Sequence, residues 1–405
     1  MSNTYYRDEP VAPSLDRAPG CPFDPAPALT ALRAERPIAR LATPEGAPGV
    51  WLATGYGAVR QILADPRFSS RYETLYHPLM GGHLPPAPVG DLTGMDAPEH
   101  TRFRKLLTGR FTVRRMNLLT ERVTELTRER LDVMERQGPP ADLLDVFARP
   151  VPALMICELL GVPYEDRDRF QDQTRTLADA GTAEAAEAQY TAFAELGVYL
   201  RELALAKRAQ PTDDLLSDLA RGGELDDDEL GGVAAFLLSA GLDTTANMLA
   251  LGTYALLRNP AQLAALRADP GLIGGAVEEL LRYLSIAALG MRGVREDVEL
   301  DGVQLQAGDT VVVALDVANR DPAKFPDPDL LDLRRATAGH LAFGHGVHQC
   351  LGQQLARVEM RVAFPALLAR FPGLRLAVPE HEVRTRTDPT QVQGVISLPV
   401  TWDRR

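Results

Sequence analysis

Cys350 closes a loop shaped by glycine, Phe343-Gly344-His345-Gly346-Val347-His348-Gln349-Cys350-Leu351-Gly352, just before a helix expected over Leu351 to Leu368. Gly344 and Gly346 admit positive φ and let a flat ligand approach the backbone closely. A thiolate at this point meets helix N-terminal amides, which favour its charged form. One thiolate with space cleared around it suits an axial haem ligand far better than zinc, which takes four ligands. The competing reading is a small buried hydrophobe, the usual role of a lone cysteine. A second chemical group is Ala240-Gly241-Leu242-Asp243-Thr244-Thr245, a carboxylate and two hydroxyls set into an apolar stretch. A third is Glu279 and Arg282, three apart on one helical face. Taken alone, Asp243 reads equally as an acid paired with a distant arginine, and Glu279–Arg282 as a surface ion pair of small worth.

Long helices must position these groups. Asp226-Asp227-Asp228-Glu229 put negative charge at a helix start, and Asn259-Pro260 stop that helix near Arg258. Roughly 30 residues at 1.5 Å each span about 45 Å, enough to cross a whole domain. Val233 to Leu238 are apolar on every side, which predicts burial. Gly241 weakens the helix there, and a threonine four residues after a small residue can open its ladder. Further helices are expected over Pro27–Arg36, Tyr56–Asp65, from Pro98-Glu99, over Asn117–Gln137 and over Pro152–Leu160. Ile38 to Ala53 reads as a hairpin turning at Thr43-Pro44-Glu45-Gly46, and Phe68 to Asp91 as a breaker-rich loop. Short strands are expected at Val298–Leu300, Thr310–Leu315, Leu374–Ala377 and Val395–Val400. The pattern predicts one large, mainly α domain with small β-sheets over 1–405, whose first residues, 1–27, form an extended arm.

The 405 residues are 45% hydrophobic and 24% charged, as in an ordinary globular chain. A net charge of -12 argues against nucleic acid or an anionic membrane as the main partner. Three scattered cysteines, Cys21, Cys157 and Cys350, make no disulfide framework and point to a reducing cytoplasm. No signal peptide and no membrane-spanning run is expected.

The Phe343–Gly352 loop resembles the cysteine-ligand loop of the cytochrome P-450 family, and other segments agree in order. Ala240–Thr245 resembles the family's oxygen-binding motif, and Glu279-Leu280-Leu281-Arg282 its Glu-x-x-Arg helix. Ala318 to Phe325 resembles the approach to the ligand loop, with Arg335 as third member of a Glu279–Arg282–Arg335 triad. The resemblance implies haem b (iron protoporphyrin IX) lying between the long central helix and the ligand loop. Cys350 would ligate the iron, and Phe343, Gly344 and Gly352 would shape its loop. His100 and Arg104, four apart, with Arg292 and His348, would hold the haem propionates. Thr244 would hydrogen-bond dioxygen, and Asp243 would feed it protons through water.

The implied activity is that of a soluble bacterial-type monooxygenase hydroxylating or epoxidising a lipophilic small molecule, a secondary metabolite such as a polyketide, macrolide or terpenoid. Its pocket would be lined by the 68–91 loop, Phe236, Ser239, Ala240, Ile286, Ala287, Ala288, Leu289, Val392 and Gln393. Electrons would come from a separate ferredoxin and its reductase, because no flavin or iron–sulfur motif is present. Arg102, Lys105, Arg110, Arg114 and Arg115 are the candidate basic face for that donor. Alternatives are oxidative coupling or peroxide-driven oxidation on the same haem, or a helper protein without catalysis.

Overall fold

The computed structural model describes residues 9–17, 21–110, 113–167, 183–386 and 392–404. Its axis is the helix Asp227–Arg258, about 48 Å long at 1.5 Å per residue. A capping box starts it. Asp226 accepts from the Glu229 amide at 2.8 Å, and the Glu229 carboxylate accepts from the Asp226 amide at 3.1 Å. Among the described residues it is the one helix long and apolar enough to cross a bilayer, yet its second half is buried almost throughout.

Two glycines let other helices come close to it. A Cβ on Gly241 would lie 2.6 Å from Ile156, on the helix Pro150–Leu160, and one on Gly252 would lie 2.6 Å from the Phe364 ring. Phe364 belongs to Gln353–Arg370, the helix that follows the cysteine loop. Gly241 is therefore a close-packing position as well as a weak point: a side chain there would force the Ile156 side chain to move. The helices Val113–Gln137 and Ala183–Ala209 complete the surround.

The main sheet runs in the order Ile38–Arg40, Val50–Ala53, Thr310–Ala314, Leu289–Val294 and Phe68–Ser69. Thr310–Ala314 is its centre, parallel to Val50–Ala53 and antiparallel to Leu289–Val294, with Val311 opposite Arg292. That register places Arg292 on a strand flanked on both sides. The strand Leu289–Val294 was not expected, because Gly290 and Gly293 interrupt its apolar alternation; pairing on both edges overrides their low propensity. The described part of the N-terminal arm lies along the sheet edge, where Val11 bridges Leu41.

Most expected elements are present with shifted ends. The helix expected at Asn117 begins at Val113, the one at Leu351 begins at Gln353, and the last strand is Pro399–Thr401. The 68–91 segment carries more structure than its breakers imply, including a small hairpin that pairs Tyr76 with His83. The central helix is not buried on every side. Ser239 and Ala240 are exposed in mid-helix, between buried Leu238 and Leu242.

One core group has a consequence for stability. Glu359, on the helix Gln353–Arg370, is 3% exposed, and among the described residues its Oε2 has no hydrogen-bond partner. Burial pushes its carboxyl up to about 8. A raised acid is matched between folded and unfolded states only below its unfolded value near 4.5, and its contribution is lost as pH rises toward 8. Glu359→Gln should therefore melt close to wild type at pH 5 and several degrees above it at pH 8. Paired thermal melts of the haem-loaded proteins at the two pH values test this, and equal differences at both would refute it.

Candidate active site

The cysteine loop is closed by its own backbone: the Cys350 amide donates to the Phe343 carbonyl at 2.9 Å. Gly344 and Gly346 adopt φ of 69° and 74°, as the loop requires. A Cβ on Gly346 would also sit 2.4 Å from the Leu63 carbonyl, so the loop lies directly on the helix Tyr56–Ala64. Burial pushes the Cys350 thiol up; the amides of Gly352 and Gln353 and the charges of Arg104 and Arg357 pull it down. The other cysteines lack this setting. Cys157 is fully buried with its thiol pushed up to about 12, and Cys21 donates to Asp24 at 3.1 Å.

Four cationic or potentially cationic side chains converge beside that loop. The His100 and His348 rings stand 4.1 Å apart, and burial, then His100 and Arg292, holds His348 down at about 3. Arg292, lowered by burial, donates to the Met291 carbonyl at 2.7 Å, and Arg104 lies near Cys350. Among the described residues, no carboxylate forms an ion pair with Arg104 or Arg292. Asp96, the nearby acid, is taken up by Ser69 at 2.6 Å and the Ser70 amide at 2.8 Å. Partly buried guanidinium groups without carboxylate partners make a place for anionic groups brought by something else.

The central helix carries its polar stretch at mid-length without interruption. The Thr244 hydroxyl donates to the Ala240 carbonyl at 2.9 Å. Asp243 is held in a fork by Arg386, with Nη1 to Oδ2 at 2.6 Å and Nη2 to Oδ1 at 2.8 Å. Asn247 adds a bond to Oδ1 at 2.9 Å. Ser239 and Ala240 open on the same stretch, and Phe236 is partly exposed. The segment at Val392–Gln393 reaches the 286–289 stretch, where the Gln393 amide donates to the Ile286 carbonyl at 2.9 Å. Ile286 and Ala288 are buried, Leu289 is half-buried and Ala287 is exposed.

A buried scaffold holds the approach to the loop. Glu279 and Arg282, both fully buried, form a two-point pair at 2.7 and 2.9 Å, and Arg335 joins Glu279 at 3.1 Å. Arg282 also binds the carbonyls of Asn319 and Pro328 at 2.9 Å, and the Asn319 side chain accepts from the Leu341 amide at 2.7 Å. The pair is thus no surface bridge: it ties the helix Ile273–Leu284 to the chain entering the loop. Glu278 makes a second anchor that the sequence reading missed. It meets His340 at 3.0 Å and Arg357 at 2.7 Å, and Arg357 in turn covers the Phe343 ring at 4.6 Å. Burial pushes the Glu278 carboxyl up, but the bonds from His340 and Arg357 prevail and hold it at about 2.

A sequence model of the cytochrome P450 family matches residues 272–400. Cytochrome P450 105C1 of a Streptomyces species is 50% identical over 382 residues, 94% of this chain and 96% of that one. The chain belongs to the cytochrome P-450 family. Pentalenic acid synthase of Streptomyces avermitilis is 46% identical, over 97% of this chain and 98% of that one. The crystal structure of CYP105P1 in complex with filipin I superposes with a TM-score of 0.89 at 43% identity, covering 98% of this chain and all of that one. The P-450 fold brings with it haem and a cysteine thiolate as axial ligand, and the chain is an oxygen-activating enzyme of that kind. The residues here fit that group. Cys350 is the one cysteine of the three at a helix N-terminus beside unpaired cations, and those cations suit the haem carboxylates. Among the described residues no three His, Cys, Asp or Glu side chains gather to hold a metal, as a zinc site would need.

Removing one partner of a buried pair costs about 3–5 kcal/mol, because the other charge is left stranded. Glu279→Ala should lower the unfolding free energy by that amount and release haem at correspondingly lower denaturant. Denaturation followed both by fluorescence and by the haem absorbance checks it; a loss under about 1 kcal/mol would show that the triad does not bear the P-450 loop.

Proposed function

We propose that this P-450 enzyme hydroxylates or epoxidises a lipophilic secondary metabolite, drawing electrons from a separate ferredoxin and ferredoxin reductase. The observation that carries the reading is the polar turn in the middle of the continuous central helix, where Asp243 and Thr244 adjoin the exposed Ser239 and Ala240. Haem, when bound, supplies the activation of dioxygen. The protein's own part is to hold the group and to manage protons. Cys350 is the axial ligand in this reading, on a loop shaped by Phe343, Gly344 and Gly352. His100, Arg104, Arg292 and His348 hold the propionates. Phe236, Ser239, Ala240, Ile286, Ala287, Ala288, Leu289, Val392 and Gln393 wall the pocket, and their small apolar character suits a lipophilic molecule. Two similar proteins, one named for pentalenic acid and one crystallised with filipin I, support a secondary metabolite as the substrate class.

Asp243 and Thr244 divide the proton work. Splitting dioxygen consumes two protons, delivered where water is otherwise excluded. Thr244 holds the hydrogen-bond position at the oxygen, and Asp243 takes protons from the solvent side and passes them inward.

The donor's docking face is narrower than the basic run at 102–115 implies. Arg102 is bound to Glu229, and Arg115 pairs with Asp218 at 2.8 Å. The side chain of Arg114 lies outside the described residues. Lys105 and Arg110, together with exposed Arg60 and Val347, form the face on the cysteine side in this reading. The scattered cysteines and the acidic net charge fit one haem domain working in the cytoplasm.

Thr244→Ala should keep consuming electrons while product per electron falls several-fold and the oxygen appears as peroxide or water. Reductant, peroxide and product are measured together in one reconstituted reaction. Fully coupled product formation in that variant would remove Thr244 from the mechanism.

A further inference from the structure

Arg386 is the functional-site residue that no sequence motif announced. Its guanidinium has little exposure, 9%, whereas the Asp243 carboxylate it holds is 35% exposed. Arg386 is thus the more deeply buried member of the pair. Both carboxylate oxygens are engaged by Arg386, and Asn247 holds Oδ1 from the other side. The same guanidinium donates to the Val392 carbonyl at 3.3 Å. Arg386 also sits in a short ladder that faces this segment. Its amide donates to the Gly394 carbonyl at 3.0 Å, Thr385 bridges Val395, and the Ile396 amide donates to the Arg384 carbonyl at 2.8 Å. Gly394 in turn abuts Asn247 so closely that a Cβ there would lie 1.8 Å from the Asn247 Oδ1. One turn of the central helix, one arginine and the segment at 392–394 are therefore a single bonded unit.

We propose that Arg386 couples the pocket-facing segment at Val392–Gln393 to the proton-carrying acid, restraining Asp243 until contact with that segment loosens the fork. The proposal rests on the reading of Asp243 as the proton carrier. A proton taken up by a carboxylate removes the charge that a guanidinium gripping both oxygens pairs with, so proton uptake at Asp243 and loosening of the fork go together. Arg386 has two kinds of acceptor, the acid and the Val392 carbonyl. A molecule seated against Val392–Gln393 displaces that carbonyl and changes how the guanidinium is shared. The proton then enters on a freed Asp243 oxygen from the solvent side and leaves the same carboxyl toward Thr244, with no change in oxidation state at either residue. Arg386 touches no reacting atom and is a positioning residue. Its effect is to keep protons from the oxygen chemistry while the pocket segment is undisturbed.

The test uses haem-loaded protein with an excess of a ferredoxin and its reductase and no added organic substrate. Donor is raised until the rate of reductant consumption no longer depends on it. Arg386→Gln should raise that substrate-free rate at least about threefold. Arg386→Lys, whose point charge cannot grip both oxygens, should give an intermediate rise. In the Asp243→Asn background, Arg386→Gln should add nothing. Hydrogen exchange supplies a readout independent of turnover: both Asp243→Asn and Arg386→Gln should speed exchange at the Ile396 amide several-fold, because each breaks the unit that holds its ladder. An unchanged or lowered rate in Arg386→Gln would overturn the proposal, as would an equal rise in the Asp243→Asn background, or exchange at 396 that ignores Asp243. If Asp243→Asn, assayed with a saturating macrolide or polyene that shifts the haem spin state, still consumes reductant at the wild-type rate, the proton-carrier reading fails instead, whatever Arg386→Gln does.

Discussion

The structure depends on a charge imbalance that the protein does not neutralise by itself. Arg104 and Arg292 converge with His100 and His348 beside them, and among the described residues no carboxylate is ion-paired to either arginine. Two buried cations elsewhere in the chain do have acids: Lys207 has Asp214 at 2.8 Å, and Arg282 has Glu279. Desolvating a charge without a partner is costly, so a fold retains such a cluster where a ligand brings the missing anions. Haem would bring two carboxylates, and the cysteine thiolate that holds it would add a third negative group. The elements holding the cluster come from distant parts of the chain: the helix Glu99–Thr108, the strand Leu289–Val294 and the cysteine loop. Cofactor and fold therefore stabilise each other, as binding to the native state alone must do.

That mutual dependence explains why the scaffold around the loop is doubled. Glu278 and Glu279 are neighbours on one helix and turn to different tasks. Glu279 secures the chain that enters the loop through Arg282 and Arg335, and Glu278 secures the helix that leaves it through Arg357. A surface ion pair would tolerate the loss of either acid. Here the loss of Glu279 would strand a fully buried Arg282, while Glu278 gathers His340, Arg357 and the more exposed Arg361. The cysteine is thus fixed from both sides by interactions that never touch it.

Much of this was legible because it is local. Capping acids before a long apolar run, glycines around a cysteine, and His100 four residues before Arg104 are spacings that a helix or loop converts directly into geometry. The central helix, the ligand loop and the Glu279–Arg282–Arg335 triad follow from such spacings together with the family resemblance. What stayed hidden lies in pairings across the chain. Arg386 stands 143 residues from Asp243, in a stretch with no periodic pattern, and nothing local assigns it. The strand Leu289–Val294 was hidden because its glycines lower strand propensity while neighbours on both edges decide its state. Arg102 looked like a free surface cation until the fold carried Glu229 to it.

Asp243 shows how two opposed readings can both hold. An acid in mid-helix is either a catalytic group or one half of a structural pair, and the fork with Arg386 supplies the second without excluding the first. A free carboxylate beside an apolar pocket would draw water inward and leave its charge unscreened, so some partner is required by electrostatics alone. A partner rooted in the helix core would fix the acid permanently. Arg386 instead hangs from a chain segment outside the helix, bonded to the carbonyl of Val392, whose neighbour Gln393 meets the 286–289 stretch. The charge is satisfied, while the position of its counter-ion follows the segment from which it hangs. Such a pair stabilises the closed arrangement and leaves its release to movements of one segment, which a partner within the helix could not do.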